Sequence, residues 1–192
     1  MLVTRHRYAV DGWGVGEIWV ADGLLVAHEL PRHGLPLERA ASPEQDLARD
    51  AAGPAPPMGG ARAPGTTLAA DASRGGADFV SELCRRVAGH LSGVPTSYDD
   101  VALDDDCATE LESALLAALR AVPWGEVVTY GELAALAGSR RAARAAGSFC
   151  ARNRFSLVVP CHRVVAAGGI GGYGASGIDL KRRLLALEGV VL

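Results

Sequence analysis

"PWGEVVTYGELAALAGSRRAARAAGSFCARN", residues 123–153, decides how this chain folds. Thr129 followed three positions on by Glu132 is a capping-box pattern, which starts a helix by satisfying two of its orphan N–H groups. The predicted helix runs over 130–137 and stops at Gly138. Ser139 is the predicted cap of a second helix over 140–151. Two short helices across a tight glycine turn make a helix-turn-helix candidate. The second helix carries Arg140, Arg141, Arg144 and Arg152 among alanines. Small residues let a helix approach a backbone closely, and arginines reach phosphates. An αα-hairpin buried in a core has the same spacing; the arginines tilt the reading toward DNA.

Outward from this stretch, "TELESALLAALRAV", 109–122, reads as an amphipathic helix closed by Pro123, and 96–103 as extended chain. "DFVSELCRRVAGHLSG" places Phe79, Leu83, Val87 and Leu91 at helical spacing, with Gly93 as the stop. Residues 4–30 read as β, where "ADG" splits two apolar runs as a hairpin turn does. Between them, residues 32–77 are rich in proline, glycine and alanine. With so few large apolar side chains they cannot offset their ordering entropy, so a flexible insertion is expected. The fold class is therefore α/β in the α+β sense. A small sheet-and-helix domain spans 1–95 with the insertion 32–77 inside it, and a mostly helical domain carrying the helix-turn-helix spans 96–192.

The 192 residues are 49% hydrophobic and 21% charged, which suits a globular chain with a core. No apolar run approaches the ~20 residues of a membrane span. The first residues lack a charged-then-apolar leader pattern, so a cytoplasmic protein without membrane contact is expected. Cys84, Cys107, Cys150 and Cys161 are widely spaced and read as reduced thiols. The net charge of −3 hides an asymmetry. Between Gly138 and Arg183, nine arginines and lysines face Asp179 alone, a local charge of +8 against −11 for the remainder. A basic segment on an acidic chain fits a polyanion, or a merely solvated arginine face.

"VVPCHRVV", 158–165, sets a thiol beside an imidazole. Neighbours on a strand point to opposite faces, so Cys161 and His162 can cooperate only if the chain turns there; Pro160, which cannot donate to a ladder, permits that. A third group should orient the imidazole, and Asp179 and Glu188 are the acids available in the last helix, "DLKRRLLALEG". The glycines of "AAGGIGGYGASG" open no βαβ phosphate site, so a dinucleotide is rejected.

Together, "PCHRVV" behind "RRAARAAGSFCARN", itself behind "PWGEVVTYGELA", closely resembles the O6-alkylguanine-DNA alkyltransferases (methylated-DNA–protein-cysteine methyltransferases). The resemblance is specific over 107–192 and architectural over 1–31 and 78–92. It implies DNA repair by irreversible, single-turnover transfer of an alkyl group from O6-alkylguanine, and by extension O4-alkylthymine, to the protein's own cysteine. It makes Cys161 the acceptor, His162 the residue that takes its proton through a water, and Glu188 the carboxylate that holds the imidazole. Tyr130 would donate toward the base, and Asn153 would tie the recognition helix to the active-site turn. Arg144 would fill the stack as the nucleotide flips out through the minor groove of double-stranded DNA, with Ser139, Arg140, Arg141 and Arg152 as further DNA contacts. The carbonyls of Cys161 and Val164 would accept from the guanine amino group, and Tyr173 and Gly174 would line the loop over the base.

No cofactor and no metal are expected, and the protein is expected to act as a monomer. His6, His28, His33 and His90 are read as surface or hairpin residues. This chain departs from the family pattern at Arg154, where the family commonly has proline, and at "CATEL", where it commonly has an aromatic–glutamine pair. It is also one residue longer between Tyr173 and Lys181. A non-catalytic lesion binder, which would flag alkylated bases for another repair pathway, a plain helix-turn-helix regulator and a cysteine hydrolase are the competing readings.

Overall fold

A computed structural model describes residues 2–32 and 75–192. The predicted insertion falls mostly on 33–74, outside the described residues, as does His33.

The described residues form two units. The first comprises residues up to 88 together with 100–106. Its alternating sequence forms three antiparallel strands in chain order: β1 (Thr4–Val10), β2 (Gly14–Ala21) and β3 (Leu24–Arg32). The β2–β3 turn is the predicted "ADG". Asp22 and Gly23 both take positive φ, at 51° and 79°, the geometry that matches a two-residue turn to strand twist. Ile18 and Leu25 are wholly buried on the core side. The chain at 102–104 extends this sheet, with Leu25 N–H donating to Ala102 O at 2.9 Å and Asp104 N–H to Leu25 O at 2.9 Å. The stretch predicted as extended is thus irregular chain with a single bridge, Leu25 to Leu103.

Helix α1 (Gly75–Leu91) presents Val80, Leu83 and Val87 as its buried stripe. Two histidines read as surface or hairpin residues lie on the hairpin strands and are buried there. His28 lies beneath Tyr8, whose hydroxyl is 2.6 Å from its Nε2, and His6 reaches Thr4 Oγ1 at 3.1 Å. Both sit on inward-facing strand positions, where a partner satisfies the ring nitrogen.

The second unit comprises 89–99 and 107–192. Helix α2 (Glu110–Arg120) starts where Thr109 Oγ1 accepts from Glu112 N–H and buries Leu115 and Leu119. Helix α3 (Tyr130–Leu136) carries the predicted capping box, with Glu132 N–H donating to Thr129 Oγ1 at 3.2 Å and Thr129 N–H to Glu132 Oε2 at 2.7 Å. Gly138 follows with φ +79°, a left-handed step that turns the chain.

The second helix of the pair differs from its predicted bounds. Helix α4 spans Ala143–Ala151, and Ser139 is no side-chain cap. The Ser139 carbonyl instead accepts Ala142 N–H at 2.9 Å, closing a turn that holds Arg140 and Arg141 ahead of the helix. Ala146 is the buried contact of α4, and a residue that small lets the helix approach α3 closely. Two short strands, β4 (Val128–Thr129) and β5 (Val164–Val165), pair in parallel, Val128 with Val164 and Thr129 with Val165. That pairing lays the chain just after residue 163 beside the start of α3. Helix α5 (Ile178–Leu187) closes the unit, burying Lys181, Leu184 and Leu185.

Candidate active site

The sequence left open whether Cys161 lies in a strand or a turn, and the chain turns. Residues Cys161–Arg163 form one 3₁₀ turn behind Pro160, between buried Val158–Val159 and β5. Cys161 keeps 8% of its surface exposed, so a reacting atom needs only a narrow opening to reach it. Asn153, just past the end of α4, fastens this turn. Its Nδ2 donates to Val159 O at 2.8 Å and to Cys161 Sγ at 2.9 Å, while its Oδ1 accepts Phe155 N–H at 2.9 Å. One side chain therefore couples the end of α4 to the sulfur. Arg154 stacks its guanidinium 5.1 Å over the Phe155 ring.

His162 is fully buried, and its Nε2 lies 2.9 Å from Glu188 Oε1. Arg163 grips the same carboxylate with two prongs, Nε to Oε2 and Nη2 to Oε1, both at 2.9 Å, and its Nη1 donates to Val122 O. Gly125 N–H adds a contact to Oε2 at 3.3 Å. Gly125 has φ +78°, and a Cβ there would stand 3.2 Å from Glu188 O, so only glycine fits without strain. Of the two acids considered as orienter, Glu188 is the one within hydrogen-bond reach of the imidazole. Asp179 is fully exposed and pairs with Arg182.

Burial opposes a charge on Glu188, but hydrogen bonds from His162 and Arg163, with His90 Nε2 close by, outweigh it and hold the carboxyl well below the usual carboxylate range. An ionised carboxylate only accepts, so His162 must carry its proton on Nε2. Its Nδ1 is then a bare acceptor, and it is buried without a partner. Burial pulls the His162 pKa down to about 4 against the pull of Glu188, leaving a neutral imidazole at pH 7.

Burial pushes the Cys161 thiol up, while Asn153, Lys181 and Tyr173 favour its thiolate. Lys181 was not foreseen as a site residue. Its Nζ is buried and donates to Val164 O at 2.6 Å and Gly172 O at 3.1 Å, tying the glycine-rich loop to β5. The carbonyls of Cys161 and Val164, expected to face the base, each already hold one internal partner, Val164 N–H and Lys181 Nζ. A carbonyl has a second lone pair, so each can still accept.

Tyr130 opens α3 and is half-buried. Burial, then the proximity of Cys150 and Cys161, raises its pKa and keeps the hydroxyl a donor. The loop closes against its ring at Gly171, where a Cβ would lie 3.6 Å away. The Tyr173 hydroxyl is buried facing Cys161 and Ser156, and its pKa is raised well above the ordinary value, chiefly by burial. Gly174 is exposed in the next 3₁₀ turn.

The basic face is smaller than the charge count implied. Arg163 and Lys181 are buried, Arg152 pairs with Glu112 and Arg182 with Asp179. Arg140, Arg141 and Arg144 are exposed at and before α4, away from the buried cluster.

Residues 110–190 match the family model described as the DNA-binding domain of 6-O-methylguanine DNA methyltransferase. Over 113 residues, 58% of this chain, the sequence is 42% identical to a methylated-DNA–protein-cysteine methyltransferase of Methanosarcina acetivorans, covering 70% of that protein. The chain belongs to the methylated-DNA–protein-cysteine methyltransferase family. The O6-methylguanine methyltransferase of Mycobacterium tuberculosis has a similar structure, with a TM-score of 0.64 at 27% identity over 97% of this chain and 92% of that one. A second structure of that protein, in complex with DNA, gives a TM-score of 0.63 at 27% identity over 96% and 92%. In this methyltransferase, three buried groups escaped the sequence reading of the site: Arg163, Lys181 and His90. His90 and Lys181 each occupy a position where an apolar helix stripe calls for a hydrophobic residue. In α5 the buried face runs Lys181, Leu184, Leu185, Glu188, so two charges occupy the ends of an otherwise apolar stripe.

Proposed function

We propose that this protein repairs DNA by moving an alkyl group from O6-alkylguanine to Cys161, once per molecule. The observation that carries the reading is the Cys161–Asn153 and His162–Glu188 geometry: a sulfur held by a donor, next in sequence to a neutral imidazole with a vacant acceptor nitrogen. The Cys161 sulfur attacks the alkyl carbon. A sulfur–carbon bond forms as the carbon–O6 bond breaks, and the thiol proton passes, through a water, toward His162 Nδ1. The guanine oxyanion that departs needs a donor, and the Tyr130 hydroxyl supplies it. The resulting thioether has no good leaving group, so the thiol is not regenerated.

An alkylated base inside a duplex cannot reach a sulfur that is 8% exposed, so the nucleotide must leave the stack. The exposed Arg144 on α4 is suited to fill the gap it leaves, with Arg140 and Arg141 on the flanking phosphates. The DNA complex of the Mycobacterium tuberculosis protein supports DNA as the partner. Arg152 contacts phosphate only by giving up Glu112.

The test is intact-protein mass spectrometry after mixing with an oligonucleotide containing O6-methylguanine. The expected result is a gain of one methyl, mapped to Cys161, that stops at one equivalent. An unchanged mass despite tight binding would instead make the protein a lesion binder.

A further inference from the structure

His90 was read as a surface or hairpin residue, yet it lies on α1 and is wholly buried in the second unit, against the active site. It continues the stripe of α1, three residues after Val87. Its ring meets Trp124 edge-on at 4.6 Å and His162 edge-on at 5.9 Å between centroids. Its Nε2 lies 3.2 Å from Glu188 Oε1, the same oxygen that His162 Nε2 approaches at 2.9 Å. At 3.2 Å the His90 contact falls short of hydrogen-bond geometry, so it is an electrostatic contact weaker than the His162 bond.

The charged and titratable groups facing His90 fix its tautomer. Glu188, after α5, is an ionised acceptor, which requires a proton on His90 Nε2. The Tyr98 hydroxyl, from the chain after α1, lies 3.4 Å from Nδ1 and can donate to it. His162 and Arg163 share the carboxylate from the active-site turn. Two imidazole N–H groups and Arg163 Nη2 thus converge on one oxygen.

We propose that His90 is a positioning residue for the transfer. By sharing Glu188 Oε1, it anchors that oxygen and limits its pull on His162, which keeps His162 neutral, protonated on Nε2, with Nδ1 open to the thiol proton. The inference deepens the repair reading and rests on it. Its physical basis is competition: each donor that a carboxylate oxygen accepts lowers what it offers to the next. Without His90, Glu188 draws His162 more strongly, and His162 protonates at higher pH.

The test uses His90→Phe, which keeps an aromatic ring and removes the donor, and His90→Gln, which restores an N–H. Long-range ¹H–¹⁵N spectra of the labelled protein, without DNA, report the protonation of His162 directly. The midpoint should rise by about one pH unit in His90→Phe and return in His90→Gln. Single-turnover methyl transfer should fall about threefold at pH 4.5 in His90→Phe, and hardly at all at pH 7. An unmoved His162 midpoint in folded His90→Phe overturns the proposal. Should His90→Phe not fold, a His162 midpoint in His90→Gln that departs from wild type overturns it, and one that matches supports it. The spectra need no transfer activity, so wild-type protein that accepts no methyl would overturn the repair reading alone.

Discussion

Lowering the pH from 7 to 4.5 should cost the wild-type protein about 2 kcal/mol more stability than it costs His162→Gln. His162 is fully buried, and burial drops its folded pKa to about 4 from an ordinary 6.5. The unfolded chain therefore binds this proton first as pH falls. The neutral His162 gives its full stability above pH 6.5, and that contribution is lost between 6.5 and about 4. The whole difference corresponds to about 3 kcal/mol, of which roughly 2 falls between pH 7 and 4.5. Glu188, held well below the usual carboxylate range, loses its own contribution at lower pH still and in both proteins, so the subtraction removes most of it. Glutamine suits the comparison because its amide can still donate to Glu188 Oε1 and does not titrate. The assay is urea unfolding at pH 7, 6, 5 and 4.5, followed by far-ultraviolet circular dichroism. If wild type and His162→Gln lose stability in parallel across this range, the imidazole is not held neutral by burial, and the account of its bare Nδ1 fails with it.

Asn153→Ala should slow methyl transfer about 100-fold and cost about 2–3 kcal/mol, since it removes the donor to Cys161 Sγ and leaves Val159 O and Phe155 N–H without their side-chain partner; a wild-type single-turnover rate would contradict this. Gly125→Ala should lower stability by at least about 1 kcal/mol in urea unfolding, because alanine resists φ +78° and its Cβ would press on Glu188 O. Arg144→Ala should leave the urea midpoint unchanged while weakening duplex DNA binding several-fold; an unchanged affinity in fluorescence titrations would remove Arg144 from the interface.

How much of this was legible in the sequence depends on the range of the force involved. The capping box at Thr129–Glu132, the Asp22–Gly23 turn and the Thr109-headed α2 are local, and each lies where the sequence puts it. Ser139 was misread because its backbone carbonyl, not its hydroxyl, finds the partner: a four-residue turn competes with a helix cap over the same atoms. The residues alone narrowed the partner of His162 to Asp179 or Glu188, and only the family resemblance chose between them, since 26 residues separate the imidazole from its carboxylate. His6, His28 and His90 are buried for a common reason. Histidine is polar by composition, yet an inward-facing position with a ring-nitrogen partner buries it cheaply. Arg163 and Lys181 entered the basic count as surface cations, although stripe position alone marks Lys181 as inward-facing.

Those two buried cations answer a question the transfer itself raises. On the proposed route, moving a proton from Cys161 to His162 would create a thiolate and an imidazolium inside a poorly solvated turn, where each bare charge would be costly. Each new charge has a partner already standing. The thiolate meets the Asn153 amide, the positive field of Lys181 and the Tyr173 hydroxyl, and the imidazolium meets Glu188. Before transfer, Glu188 would itself be an uncompensated buried anion, and the two-pronged Arg163 contact balances it. The side chains that hold the site in its resting form are therefore those that stabilise the charges of the reaction, and they need little rearrangement when the charges appear. On this argument the barrier depends on how rigidly Glu188 is held, not only on the chemistry of the sulfur. Loosening any donor to that carboxylate should slow transfer even where Cys161, His162 and the DNA-facing helix are untouched.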